Sequence, residues 1–229
     1  MKGRYAVIGW GSLIWDLEIL TPHVETPWMM EAGPQLPMEF SRISAKRKMG
    51  LAVCLDSSMG DPCPTHVIPS TRETLVEAID DLAARERAPF DRIGGVCLNT
   101  DARQGRRHFS DLVANWCEEH GWQGAVWTDL ASNFQVLRNL PFSVARATEY
   151  LRSLQGESLN EAVRYIANAP GTTNTRLRRA LESDPWWLER MAERGYTPKR
   201  DSITSLVSQD LPDAGAAPIT PEPTNQETL

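Results

Sequence analysis

The chain begins with a short apolar run that ends abruptly in a turn rich in glycine, Gly9-Trp10-Gly11-Ser12. The run at residues 5–8 is typical of a buried strand, and the glycines after it predict a tight turn. Because glycine has no Cβ, Gly9 and Gly11 allow positive φ angles and a close approach of the backbone to a ligand. Successive N–H groups in such a turn can surround an anion or a developing oxyanion. The sequence therefore predicts a ligand site at the end of the first strand.

The same turn excludes two common catalytic and nucleotide-binding motifs. Position 14 is Ile14, whereas both the Gly-x-Ser-x-Gly nucleophile elbow and the Gly-x-Gly-x-x-Gly dinucleotide motif require glycine there. We therefore interpret Ser12 as a residue that shapes the turn or hydrogen-bonds within it. The chain also contains no P-loop motif.

Alternating and apolar segments predict a sheet in the first part of the chain. Residues 38–44 alternate apolar and polar side chains and residues 51–55 are apolar, so the basic turn between them predicts a hairpin. We expect further strands at residues 65–69, 93–98 and 124–127, and a helix at residues 109–120. Strands followed by helices favour a mixed α+β domain, a small barrel or curved sheet flanked by helices.

The pattern becomes helical from Ser143 onward. Apolar stripes predict two helices, and a third at residues 176–194 has to break or restart at Pro185. The Trp-Trp pair that follows this proline favours helix packing over a ligand platform. Beyond Tyr196 the composition turns to Pro, Ser, Thr, Gln and Asp with almost no apolar periodicity. We therefore predict one domain over residues 1–196 and a disordered tail over residues 197–229.

One acidic residue continues an apolar helical face. The sequence Ser-Thr-Arg-Glu at residues 70–73 matches a capping box, so we expect a helix to begin there. The helix carries an apolar stripe at Leu75, Ile79 and Leu82, and the next position on that face is Glu86. A carboxyl group on the apolar side is placed for general acid or base catalysis. A structural ion pair is the alternative, with Arg85, Arg87 or Arg92 as the partner.

The hairpin turn carries a cluster of basic side chains at Arg42 and residues 46–48. A solvated turn is one interpretation, and a carboxylate clamp is the other, because a strand arginine such as Arg42 can form a bidentate pair. Nucleic-acid binding through this cluster is a third and weaker reading. The formal net charge of −6 argues against it.

Composition indicates a soluble, acidic, cytoplasmic protein. No signal peptide and no apolar run long enough to span a membrane is evident, and the four cysteines are widely spaced. Neither cysteines nor histidines show zinc-ligand spacing, so we expect reduced thiols, no metal and no cofactor. The oligomeric state stays open. The cysteines are Cys54, Cys63, Cys97 and Cys117.

Two motifs together resemble a known family. Residues 9–13, Gly-Trp-Gly-Ser-Leu, are similar to the Tyr-Gly-Ser signature of γ-glutamylcyclotransferase-like proteins, with Trp10 in the tyrosine position. Further along, Arg85-Glu86-x-x-x-Phe90 is similar to the segment of that family whose glutamate is catalytic. The sequence departs from the family at Trp10, at Phe90 in place of tyrosine, and at residues 87–89, where glycines are common. These departures concern the substrate more than the fold.

The resemblance implies a small mixed β-barrel with flanking helices, extended here by C-terminal helices. It implies an intramolecular reaction that converts a γ-glutamyl amide into 5-oxoproline and a free amine, with Glu86 as general acid and base. The loop at residues 9–13 would grip the γ-glutamyl group, and Arg42 would bind its α-carboxylate. The loop positions are Gly9, Trp10, Gly11, Ser12 and Leu13. Two alternatives stay open: the same site acting on another small amide, and a non-catalytic binding module that uses the tail or the basic hairpin.

Overall fold

The computed structural model describes residues 5–199 of the 229-residue chain. These residues form a mixed α+β structure with two β-sheets and seven α-helices, which confirms the predicted mixed α+β class. The predicted disordered tail spans residues 197–229, and all of it from position 200 onward lies outside the described residues.

A five-stranded sheet carries the N-terminal strand near its centre. The strand order is β5-β1-β8-β6-β7, with β1 antiparallel to β5 and parallel to β8. All five residues of β1 are buried, as the apolar run predicted. The strands of this sheet are β1 Tyr5–Gly9, β5 His66–Ser70, β6 Ile93–Cys97, β7 Ala102–Gln104 and β8 Gly124–Thr128.

A second sheet contains the predicted hairpin. Its order is β3-β2-β4, formed by β2 Leu36–Ser44, β3 Gly50–Leu55 and β4 Asp61–Cys63. Strands β2 and β3 are antiparallel, with Ile43 opposite Leu51, and a register shift lies between Glu39 and Arg42. The predicted barrel is not observed: within residues 5–199 the strands form two separate sheets without closing.

Seven helices surround the sheets. Helix α1 begins after Thr74, whose side chain forms a capping box with Glu77, so the predicted start at residues 70–73 was wrong. Ser70 already pairs with Tyr5 in the sheet and cannot also begin a helix. The break predicted at Pro185 is confirmed, because α6 ends before it and α7 starts there. The helices are α1 Leu75–Glu86, α2 Arg107–His120, α3 Phe134–Arg138, α4 Val144–Ser153, α5 Gly156–Asn168, α6 Arg176–Leu181 and α7 Pro185–Ala192.

The buried side chains match several local predictions. Trp187 is fully buried in the main core, which agrees with a packing role for the tryptophans after Pro185. All four cysteines are free and buried. Within residues 5–199, no helix is long and apolar enough to cross a membrane.

Candidate functional site

A cavity of about 770 Å³ opens where the end of β1, the β2–β3 hairpin and the end of α1 meet. The loop after β8, Leu137 of α3 and Tyr165 of α5 also contribute to its wall. The structure brings six of the seven sequence-predicted site residues into this lining. They are Gly9, Trp10, Ser12, Leu13, Arg42 and Glu86.

The seventh residue, Gly11, lies behind the lining and shapes the turn. It starts a short 3₁₀ helix, Gly11–Ile14, and has a φ of +58°, as glycine allows. A Cβ at this position would lie 2.8 Å from both the Tyr165 hydroxyl and Cγ1 of Val53. Gly9 is different, because its backbone is an ordinary strand and a Cβ there would lie 2.5 Å from the Trp28 ring. Of the two glycines, only Gly11 uses a positive φ.

Ser12 is held by an arginine of the hairpin turn. Its Oγ accepts a hydrogen bond of 2.7 Å from Nη2 of Arg47, whose Nη1 also pairs with Glu161 at 3.2 Å. This contact ties the glycine turn to the second sheet. It gives the Ser12 hydroxyl a positioning contact, which agrees with the reading of Ser12 as a hydrogen-bonding residue.

Glu86 forms the ion pair that the sequence offered as an alternative, and it also lines the cavity. It is the last residue of α1, lines the cavity, and its side chain is 16% exposed. Its Oε1 accepts a hydrogen bond of 3.2 Å from Nη1 of Arg85. The carboxylate is therefore both ion-paired and open to a ligand.

Arg85, which the sequence offered only as an ion-pair partner of Glu86, forms that pair and supports the site from below the cavity lining. Its side chain is completely buried, and its Nη2 donates a 2.5 Å hydrogen bond to the Asp16 carbonyl oxygen. Its Nε is buried and has no hydrogen-bond partner within residues 5–199. The helical stripe contained a signal for this, because position 85 lies three residues after Leu82 on the same face. A buried guanidinium thus holds the carboxylate at the end of α1.

The walls of the cavity are strongly cationic although the chain as a whole is acidic. Glu86 is its only acidic lining residue in the described part of the chain. Lys46, whose Nζ donates to the Arg85 carbonyl at 3.2 Å, has a pKa lowered by burial and then by the Arg85 charge. Such a lining favours anionic ligands. The cationic lining residues are Arg42, Lys46, Arg47, Arg87 and Arg92.

Arg42 differs from the other cations in its contacts. Its Nη1 donates a hydrogen bond of 2.7 Å to the Ala131 carbonyl oxygen, and it forms no ion pair with a carboxylate in the described residues. Burial lowers the pKa of Arg42, and the nearby charge of Arg92 lowers that pKa further. A guanidinium in this situation gains most from an anion supplied by a ligand.

The basic turn is only partly a solvated surface. Lys48 is exposed, but Arg47 is buried and its guanidinium lies over the ring of Tyr165, 4.9 Å from the ring centre. The interpretation as a solvated turn therefore fits Lys48, whereas Arg47 is buried beside the cavity.

Two buried side chains of the cavity wall are held in their protonated forms. Burial raises the pKa of Tyr165 and the pKa of Cys54, each to about 12. The Cys54 thiol hydrogen-bonds with the Ser41 hydroxyl at 3.4 Å. Because the thiolate is the nucleophilic form, Cys54 is not suited to act as a nucleophile. Tyr165 was not predicted as a site residue from the sequence.

The cavity does not contain a cluster of metal-ligand side chains. Among the residues that the structure describes, no three His, Cys, Asp or Glu side chains are grouped to hold a metal ion.

Comparison with known proteins assigns no family. No protein-family model matches the chain, and neither does any curated protein or solved structure.

Proposed function

We propose that this chain has a γ-glutamylcyclotransferase-like fold and is an enzyme that cyclises a γ-glutamyl amide, releasing 5-oxoproline and a free amine. The observation that carries the proposal is the position of Glu86. Among residues 5–199, Glu86 is the one carboxylate in the lining of a cavity whose other charged groups are cationic, and the glycine turn at residues 9–13 borders the same cavity. The two motifs that resemble the family thus meet in one site.

The reaction needs one group that accepts and returns a proton. The α-amine nitrogen of the substrate attacks its own γ-carbonyl carbon, and a new C–N bond forms. Glu86 takes a proton from that nitrogen and gives it to the departing amide nitrogen as the original C–N bond breaks. Protons and bonds balance within one molecule of substrate, so the step uses no enzyme nucleophile.

Two further features orient the substrate. The glycine turn lies beside the cavity, because Trp10, Ser12 and Leu13 line it, and successive backbone N–H groups of residues 10–13 can converge on one anionic group. Those groups bind the γ-glutamyl carbonyl and its developing negative charge. Arg42, a lining residue, binds the α-carboxylate through its guanidinium, which has no carboxylate partner among residues 5–199. The substrate's α-carboxylate is an anion, which agrees with the cationic lining of the cavity.

The test replaces Glu86 with its neutral isostere. We expect Glu86→Gln to keep the fold and to lower kcat for 5-oxoproline release by at least about 100-fold, because the general base is lost. Release is measured by chromatography with a panel of γ-glutamyl amines, γ-glutamyl dipeptides and glutathione.

A matched control tests whether the loss of a negative charge alone, rather than the loss of the general base, lowers activity. Glu18 pairs with Lys46 at 3.4 Å and with Arg87 at 3.3 Å but does not line the cavity. Glu18→Gln removes one negative charge from the same cationic group, and we expect it to stay active. A folded native protein that releases no 5-oxoproline from any compound of the panel would contradict the proposed reaction.

A further inference from the structure

Tyr165 lies at the wall of the cavity, and its ring is held in place by three neighbouring side chains. Tyr165 lies on helix α5. Its ring packs edge-to-face with the rings of Trp15 and Phe40, whose centroids are 5.8 Å and 6.3 Å from its own. The guanidinium of Arg47 covers one ring face, 4.9 Å from the centre. A ring held in this way cannot reorient without disturbing the core, so its hydroxyl has one defined position.

That position lies beside the glycine turn. The hydroxyl oxygen is 2.8 Å from where a Cβ of Gly11 would be, and Tyr165 belongs to the cavity lining. The backbone of Val53 hydrogen-bonds to the hydroxyl. Because a backbone N–H can only donate, the hydroxyl oxygen is the acceptor in this bond, which leaves its own proton to be donated elsewhere.

The hydroxyl is also electrostatically coupled to the carboxylate. Burial raises the pKa of Tyr165 to about 12, the Arg47 charge lowers it, and the Glu86 charge raises it. The phenol is therefore protonated at every pH at which such an enzyme works, and it acts as a hydrogen-bond donor rather than as a base. Glu86 and Tyr165 line the same cavity from different elements.

We propose that Tyr165 is a second catalytic residue, which donates its hydroxyl hydrogen bond to the γ-carbonyl oxygen as that oxygen becomes an oxyanion. This inference rests on the proposed cyclisation. When the substrate amine adds to the carbonyl carbon, the π electrons move onto the oxygen, and the O–H of Tyr165 stabilises the charge without transferring its proton. When the carbonyl re-forms, the leaving nitrogen departs with the proton returned by Glu86, and Tyr165 is unchanged.

Such a donor affects the rate more than binding. The charge on the carbonyl oxygen exists only near the transition state, so the hydrogen bond is much stronger there than in the bound substrate. We expect Tyr165→Phe to lower kcat by about 100-fold, the effect typical of one lost oxyanion donor, with KM changed by less than about twofold.

A second buried tyrosine provides the control. The Tyr150 hydroxyl donates a 2.6 Å hydrogen bond to the Met49 carbonyl oxygen, and Tyr150 does not line the cavity. Tyr150→Phe loses a comparable buried hydrogen bond, and we expect it to keep its kcat. Circular dichroism and urea unfolding establish that both variants are folded under assay conditions.

The outcomes separate this inference from the reaction on which it rests. A kcat loss confined to Tyr165→Phe with an unchanged KM and an unchanged pH profile supports the oxyanion role. Full kcat in that variant, with an active native protein, overturns the role of Tyr165 and leaves the proposed reaction intact. A native protein that turns over no γ-glutamyl compound overturns both.

Discussion

Arg85 is the residue on which the position of the Glu86 side chain depends. Its buried guanidinium donates both to Glu86 and to the Asp16 carbonyl oxygen. Removing it leaves two acceptors without their donor in a largely buried place. We expect Arg85→Met to lower the free energy of unfolding by about 3 kcal/mol, because breaking one side of a buried ion pair is costly. Urea unfolding monitored by tryptophan fluorescence measures this.

Arg87, two residues further on, is a suitable control for that substitution. Its side chain is 70% exposed and reaches Glu18 at 3.3 Å. An exposed ion pair contributes little to stability, so Arg87→Met should change the free energy of unfolding by less than about 0.5 kcal/mol. Equal losses in the two variants would mean that the burial of Arg85 has no energetic consequence.

At the level of elements, the glycine turn is the junction between the first strand, the second sheet and helix α5. Gly11 has a φ of +58°, and a Cβ at this position would lie 2.8 Å from both the Tyr165 hydroxyl and Cγ1 of Val53. Gly11→Ala adds a strained φ and an overlap with both groups. We expect it to lower the free energy of unfolding by at least about 2 kcal/mol and also to reduce kcat, because the hydroxyl and the turn are displaced together.

Gly121 is a control that has the positive φ of Gly11 but not its close packing, so it isolates the backbone part of the stability loss. It ends helix α2 with a φ of +70°, and a Cβ there would meet nothing within 4 Å. Gly121→Ala should therefore cost only about 1 kcal/mol for the left-handed backbone and leave kcat unchanged. If Gly11→Ala is no more damaging than Gly121→Ala, the close packing at the turn does not contribute to the site. Unfolding curves and 5-oxoproline release are recorded for both variants.

The elements also show what the sequence can and cannot predict. The long strands and helices follow from local periodicity, whereas β4 and β7 have three residues each and carry no period to recognise. The start of α1 was placed too early because two capping sequences follow one another, and only strand pairing excludes Ser70. The failure to predict Tyr165 as a site residue has a similar cause. Tyr165 reaches Gly11 only through the packing of α5, a contact between distant parts of the chain.

For the whole molecule, His66 joins three distant parts of the described chain. It lies on β5, its Nδ1 accepts a 2.9 Å hydrogen bond from the Glu31 backbone N–H, and its Nε2 lies 3.3 Å from the Thr172 hydroxyl. Since Nδ1 is an acceptor, the folded protein requires the neutral ring, with Nε2 as the donor to Thr172. Burial lowers the pKa of His66 from 6.5 to about 4.

This pKa shift predicts a loss of stability in mild acid. Above pH 6.5 the ring is neutral in both states, and the stabilisation is complete. As the pH falls from 6.5 towards 4, the unfolded chain binds a proton that the folded chain excludes, so the free energy of unfolding decreases by up to about 3 kcal/mol. His66→Asn should remove this component, and its urea-unfolding free energy should depend less on pH than that of the native protein. His108→Asn, at an exposed position of α2, should follow the native curve. Parallel curves for the native protein and His66→Asn would show that His66 does not link the three segments through its neutral form.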